Sequence, residues 1–265
     1  MLTDTHVHFD DAAARGETAA LLERAMAAGV TRFLSVGGNP SANTLALALA
    51  ARAPGRVRAA VGLDRDQADA PWDITAVETA ARAPETAAVG EIGLDYHYGL
   101  DRRADQLRLC ETMLDLAARA GRPVVLHSRA ADEDTLALLG AHAARRGAAP
   151  PGVLHCFTGG RNFAFRLLDL GFFVSFSGIL TFANAGELRA VAAAVPEDRL
   201  LIETDTPYLA PVPHRGRPNE PAWLAHVAAT LAALRNRAPD EIARITSRNA
   251  ERLFGPWTNH EPSHE

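Results

Sequence analysis

The sequence contains no lysine, and all 27 basic residues in its 265 positions are arginine. A lysine Schiff base, a P-loop lysine and a carboxylated lysine that bridges two metal ions are therefore excluded from any mechanism. Cysteine is nearly absent as well. Cys110 and Cys156 are too few for a disulfide framework and too far apart for a Cys-pair zinc pattern, which favours a reducing compartment.

Long apolar runs and an excess of positive charge are also missing. No apolar run approaches the length of a membrane span, and the N-terminus has no charged-then-apolar signal segment, so we expect a cytoplasmic protein without membrane attachment. The formal net charge of -5 provides no bulk attraction to nucleic acid, although a local basic rim remains compatible with it. A monomer is expected, but nothing in the sequence fixes the oligomeric state.

Short apolar runs alternate with longer Ala- and Leu-rich segments along the whole chain, which predicts repeated strand-helix units around a parallel sheet. The eight predicted strands end near His8, Gly37, Leu63, Glu91, His127, His155, Phe176 and Asp205. Because about 250 residues suffice for a (β/α)₈ barrel, we predict an α/β fold, a single-domain TIM barrel over residues 1–255 with an extra C-terminal helix. Residues 256–265 are predicted to form a flexible tail.

Nine helices are predicted between and after the strands. Several of them stop where the chain places a helix-ending residue, such as Gly29, Pro54 or Gly121. The predicted spans are residues 17–28, 43–53, 73–83, 104–120, 133–145, 161–170, 186–194, 220–237 and 239–254.

Residues with metal-binding side chains lie at the predicted strand ends, where the active site of such a barrel lies. His6 and His8 are two residues apart on a strand, so their imidazoles point to the same face. Four further strands end with Glu91, His127, His155 and Asp205. A single histidine is more often a hydrogen-bonded core residue, but six such residues at strand ends predict a metal centre.

Six ligands exceed what one tetrahedral ion needs and are about right for two divalent ions that share a carboxylate. Two such ions against two carboxylates leave a positive pocket, which would lower the pKa of a bound water and attract an anionic phosphodiester. The ligand set leaves the metal open between magnesium, manganese and zinc.

Five segments carry recognisable motifs: DTHVHFD at residues 4–10, GEIGLDY at 90–96, LHSR at 126–129, LHCFTG at 154–159 and ETDTPYL at 203–209. Together they resemble the TatD family of metal-dependent deoxyribonucleases, and the likeness extends to residues 249–254. The resemblance implies a metal-dependent hydrolase that cleaves DNA, often as a 3′ to 5′ exonuclease. It also implies a bridging glutamate where many relatives use a carboxylated lysine, which agrees with the absence of lysine.

The resemblance also implies roles for individual residues. The carried-over ligands form two sets that share one glutamate: His6, His8, Glu91 and Asp205 for one ion, and Glu91, His127 and His155 for the other. A hydroxide activated by the ions would attack the phosphorus, while Asp205 orients the water and takes its proton. Glu91 and Glu203 are further catalytic candidates, and Glu203 is alternatively a partner of a neighbouring arginine.

The expected substrate is DNA, in particular single strands or 3′ ends. Loops on the catalytic rim supply five candidate phosphate contacts, which are Arg129, His97, Arg161, His214 and Arg215. Cys156 follows a ligand on the same predicted strand, so it is expected to point to the opposite face and to pack there. Four other histidines are expected to be solvated or merely packed: His142, His226, His260 and His264.

Two other functions remain open at this stage. The same metal centre would serve an amidohydrolase-type hydrolase of a lactone, amide or aminoacyl ester, such as an aminoacyl-tRNA deacylase, because fold alone does not choose a substrate. A metal-binding scaffold without turnover is the third hypothesis, against which the open rim and Asp205 argue. Exonuclease or endonuclease action and DNA or RNA preference are equally open.

Overall fold

The computed structural model describes residues 1–257, which contain one eight-stranded parallel sheet. The strands, each paired with the next, are β1 (Leu2–Val7), β2 (Val30–Gly38), β3 (Val57–Leu63), β4 (Thr86–Asp95), β5 (Val124–Arg129), β6 (Gly152–Leu154), β7 (Phe173–Phe176) and β8 (Leu200–Ile202). Two backbone hydrogen bonds join the chain after β8 to β1. Asp205 N–H donates to His6 O at 3.0 Å, and His8 N–H donates to Thr206 O at 2.9 Å. The sheet therefore closes into the predicted barrel.

The helices lie between and after the strands. They are α1 (Asp10–Ala14), α2 (Thr18–Ala27), α3 (Pro40–Arg52), α4 (Ile74–Arg82), α5 (Tyr96–Gly99), α6 (Arg103–Ala120), α7 (Asp132–Arg146), α8 (Arg161–Asp169), α9 (Gly186–Ala194), α10 (Leu224–Arg235) and α11 (Pro239–Phe254). All nine predicted helices are present. The sequence prediction missed α1 and α5, which are too short to show a helical period.

Two predicted helix boundaries were wrong for local reasons. Helix α3 begins three residues early because the Asn39 side chain accepts Ala42 N–H at 3.0 Å and Pro40 occupies the first helical position. The segment predicted as one helix over 220–237 is a 3₁₀ turn, Pro221–Trp223, followed by α10. Asn236 ends α10 with a left-handed backbone, at φ 52°.

The core has two layers, which is why strands such as β8 are apolar on both faces. Leu200 and Ile202 pack outward beneath the helices, whereas Leu201 packs into the barrel interior. Phe254 and Trp257, at and beyond the end of α11, belong to the interior cluster too. The extra C-terminal helix thus covers the N-terminal end of the barrel, and the opposite end remains for a site.

Several smaller expectations can be compared with the structure. Cys110 and Cys156 are both free thiols. His142 on α7 was expected to be either solvated or packed, and it is fully buried, hence packed. His260 and His264 lie outside the described residues. Within residues 1–257, no helix combines the length and the apolar character that crossing a membrane requires.

Candidate metal centre

The two histidines at the end of β1 lie side by side, as their spacing predicts. Their Nε2 atoms are 3.0 Å apart. Asp4 fixes the backbone beneath them, because its Oδ1 accepts N–H groups from both His6, at 3.3 Å, and Thr204, at 2.9 Å. One buried carboxyl group therefore ties the first strand to the chain that leads to Asp205.

Glu91 stands between two pairs of histidines and offers one oxygen to each pair. Its Oε2 lies 3.4 Å from Nε2 of both His6 and His8. Its Oε1 lies 3.7 Å from His127 Nδ1 and 3.5 Å from His155 Nε2. This is the arrangement of a carboxylate that bridges two cations.

Asp205 completes the group on the side of the first pair. Its Oδ1 lies 3.8 Å from Nε2 of both His6 and His8. The residue has a left-handed backbone with φ 60°, a conformation that aspartate adopts more readily than most residues. We call His6, His8, Asp205 and Glu91 Oε2 the first metal position. His127, His155 and Glu91 Oε1 form the second metal position.

The side chains fit divalent ions. Metal bonds of about 2.1 Å in tetrahedral geometry place two ligand atoms roughly 3.4 Å apart, close to the spacings here. Two sets of three residues each have their ligand atoms within 4.8 Å of one another. One set is His6, Glu91 and His155, and the other is His6, His8 and Asp205. His155 Nε2 is buried and has no hydrogen-bond partner within residues 1–257. A bound metal ion would supply the partner that a buried polar atom normally has.

Two outer carboxylates orient the histidines of the second metal position. Glu203 Oε1 lies 3.2 Å from His155 Nδ1 and accepts the Cys156 N–H at 2.6 Å. Asp95 Oδ2 lies 3.1 Å from His127 Nε2. Such carboxylates fix the ring orientation and tautomer of a metal-binding histidine. Glu203 therefore contacts a histidine and not the neighbouring arginine that the sequence suggested as an alternative.

Burial and mutual contacts shift the pKa values of the protein groups. Burial, reinforced by the charge on His155, lowers the pKa of His6 to about 3, so this imidazole is neutral. Burial raises the pKa of Asp205 to about 7. Burial opposes ionisation of Glu91, but the surrounding imidazoles hold its pKa well below the usual range. Neutral imidazoles and ionised carboxylates are the states that bind metal.

Two imidazoles are exceptions, His8 and His155. Burial opposes protonation of His8, but Glu91 and Asp205 raise its pKa. The pKa shift of His155 is large. Burial opposes its protonation, but Glu91 and Glu203 raise its pKa to about 10. A cation at Nε2 replaces that proton, so metal binding at the second metal position is expected to release a proton.

Arg65 also reaches the centre, which the sequence interpretation did not foresee. It begins the 3₁₀ turn Arg65–Gln67 directly after β3, and its Nη1 donates to Glu91 Oε1 at 2.5 Å. Asp64 caps this turn by accepting the Asp66 N–H at 2.9 Å. The available signal was the polar triplet Asp64-Arg65-Asp66, which follows β3 on the same rim as the predicted ligands.

The centre forms the floor of an open cavity of about 570 Å³ at the C-terminal end of the barrel. Tyr98 and Tyr208 line this cavity and are 75% and 60% exposed. Arg129 lines it too, with its guanidinium 4.8 Å from the centroid of the Tyr98 ring. In the described chain, the other four predicted contacts are not among the lining residues: His97, Arg161, His214 and Arg215.

A sequence profile of the family described as "TatD related DNase" matches residues 3–255. The chain belongs to the TatD family. The metal-dependent hydrolase named TatD of Mycobacterium tuberculosis H37Rv is 39% identical over 263 residues, which cover 96% of this chain and 98% of that protein. The family resemblance predicted from the five motifs is therefore confirmed, and the chain is a TatD-family metal-dependent hydrolase.

Two further relatives carry additional information. A protein of Erwinia billingiae, named 3′-5′ ssDNA/RNA exonuclease TatD, is 35% identical over 241 residues, which cover 88% of this chain and 91% of that protein. The crystal structure of the TatD homologue YjjV of Escherichia coli K12 superimposes with a TM-score of 0.86 at 32% identity. The superposition covers 96% of this chain and 97% of that one.

Cys156 of this TatD-family chain does not pack on the far side of a strand, so that prediction was wrong. Strand β6 ends at Leu154, and Cys156 has a left-handed backbone with φ 45°. Its Sγ lies 3.2 Å from Ser177 Oγ, and the residue lines the cavity beside His155. The alternation of strand faces does not extend past the end of the strand.

Proposed function

We propose that this TatD-family hydrolase cleaves phosphodiester bonds at the 3′ ends of single-stranded DNA, with two divalent ions in the two metal positions. The observation that carries the proposal is Glu91, which offers one carboxylate oxygen to each of two histidine pairs on the floor of an open cavity. Two-ion centres of this kind are suited to phosphoryl transfer. The relative named as a 3′-5′ ssDNA/RNA exonuclease supports the same substrate class.

The ions, when bound, would activate water and neutralise charge on the phosphate oxygens. The residues of the chain do the positioning. Glu203 and Asp95 hold the rings of the second metal position, so their free nitrogens point to Glu91. Asp205 orients the attacking water and accepts its proton, because its buried carboxylate faces the cavity.

The cavity rim supports a single-stranded substrate. The faces of unpaired bases are free to stack on the exposed rings of Tyr98 and Tyr208, whereas duplex bases already stack on one another. Arg129 adds a positive charge next to Tyr98 for a backbone phosphate. The candidates outside the cavity lining, such as Arg161 and Arg215, would contact only a longer strand.

The test is degradation of end-labelled single-stranded DNA by metal-stripped protein, with magnesium, manganese or zinc restored in turn. Asp205→Asn is the test variant. Asp169→Asn is the control, because Asp169 is an exposed carboxylate at the end of α8. We expect mononucleotide release from the 3′ end that requires metal, persists in the control and falls at least about a hundredfold in Asp205→Asn.

The same preparation should also be offered duplex DNA, single-stranded RNA and carbonyl substrates, namely a lactone and an aminoacyl ester. Preference for duplex DNA would contradict the role of the tyrosines. Stoichiometric metal binding with intact DNA and rapid hydrolysis of a carbonyl substrate would replace the nuclease assignment with an amidohydrolase-type one. Metal binding without turnover of any substrate would leave the scaffold hypothesis.

A further inference from the structure

Arg65 and the second metal position use the same carboxylate oxygen. Arg65 Nη1 donates to Glu91 Oε1, the oxygen that faces His127 and His155. The arginine side chain is 24% exposed, and it lines the cavity from the end of β3. A guanidinium is charged at every accessible pH, so this is a full positive charge inside the metal centre.

A guanidinium and a divalent ion at Glu91 Oε1 would be two cations on one carboxylate oxygen. An ion bonded to this oxygen would lie about 2.1 Å from it, while the arginine nitrogen lies at 2.5 Å. Two cations so close repel strongly in a partly buried site. The positive charge of Arg65 also contributes to the lowered pKa of His127, whose largest cause is burial, so its field acts on the second metal position.

We infer that Arg65 competes with the ion of the second metal position for Glu91 Oε1. This inference rests on the two-ion centre proposed above. The first metal position uses the other oxygen, Glu91 Oε2, so its ion is retained tightly. The ion of the second metal position binds more weakly, because it must first displace the guanidinium.

The displacement needs only the side chain to move. The backbone at the start of the turn is anchored, since Asp64 N–H donates to Gly38 O at 2.8 Å and Asp64 accepts the Asp66 N–H. Released from Glu91, the guanidinium stays at the cavity wall, where a substrate phosphate is its natural partner. A phosphate-bearing substrate and the weakly bound ion therefore favour the same position of Arg65.

The experiment is calorimetric titration of metal-stripped protein with manganese chloride, with bound manganese counted by elemental analysis. Wild type is expected to bind one ion tightly and one weakly. Arg65→Gln should tighten the weak site at least tenfold, about 1.4 kcal/mol, and leave the tight site unchanged. Arg65→Lys keeps a positive charge and should fall between them, and Arg129→Gln, at a cavity arginine placed over Tyr98, should match wild type.

The tight site is an internal measure of a folded centre in every variant. Two ions with wild-type affinities in Arg65→Gln would overturn the competition and leave the two-ion centre intact. One ion in all variants, at any manganese concentration, would overturn both. Weakening of the tight site in Arg65→Gln would show that the arginine supports the centre structurally, which also overturns the competition.

Discussion

His127 and His155 present opposite ring nitrogens to the bridging glutamate. Glu203 holds Nδ1 of His155, which leaves Nε2 for the centre, whereas Asp95 holds Nε2 of His127 and leaves Nδ1. Each outer carboxylate accepts an N–H from one ring nitrogen, so the other nitrogen is the one whose lone pair would bind metal, in His155 after loss of its second proton. At the scale of single residues, the outer pair thus decides which atoms of the histidines are able to bind metal.

Substitutions of Glu203 should therefore weaken metal binding. Glu203→Gln retains an oxygen for His155 Nδ1 and the Cys156 N–H but loses the charge, so we expect manganese affinity at the second metal position to fall about tenfold. Glu203→Ala removes both contacts, and a fall of about a hundredfold is expected. The measurement is the manganese titration described above, and equal affinities in wild type and Glu203→Ala would contradict the role.

At the scale of the secondary-structure elements, the barrel closes between β1 and the chain after β8. Asp4 connects the two with three hydrogen bonds: Oδ1 accepts N–H groups from His6 and Thr204, and Oδ2 contacts Thr204 Oγ1 at 2.6 Å. All three residues are buried. The distance between the His6 and Asp205 side chains therefore depends on a carboxyl group that does not face the centre.

Asp4→Ala should lower the free energy of unfolding by about 3 kcal/mol, because it leaves buried N–H groups without acceptors. Asp4→Asn should cost less than about 1 kcal/mol, since its amide oxygen accepts the same N–H groups. Burial raises the pKa of Asp4 to about 8, so the neutral amide also resembles the native group at pH 7. Urea unfolding at pH 7 tests both variants. Equal stability of Asp4→Ala and Asp4→Asn would contradict the role of the Asp4 hydrogen bonds in joining β1 to the chain after β8.

At the scale of the whole molecule, stability depends on the layer between the sheet and the helices as much as on the site. His142 on α7 is buried in that layer and its Nε2 lies 3.3 Å from Pro151 O. Burial lowers its pKa to about 4. The unfolded chain, with a pKa of about 6.5, therefore binds a proton that the folded chain excludes between these two pH values.

Folding stability should fall as the pH drops from 6.5 towards 4 and should be unaffected by this group above 6.5. At pH 5 the loss from His142 is about 2 kcal/mol. Urea unfolding at pH 7.5 and pH 5 should show that loss in wild type and in His97→Leu, where the histidine is exposed. His142→Leu should lack it, and an equal pH dependence in His142→Leu would refute the assignment.

Much of this protein could be predicted from local sequence patterns. Strand periods, glycine and proline stops and the alternation of elements gave eight strands and nine helices in the right order. The predicted ligand residues lie close together because parallel strands of a barrel end on the same rim. Boundaries failed where side chains decided them, as at Asn39, and at elements as short as α5.

The sequence by itself determined the fold class and the chemistry of the six predicted ligands, because these depend on periodicity and residue type. Only the tertiary structure decided which nitrogen each histidine offers, that Cys156 lines the cavity, and that Arg65 contacts Glu91. These are contacts between residues that are far apart in the chain, such as Asp4 and Thr204. Local patterns carry no information about such contacts, since the closing of the barrel is what brings the partners together.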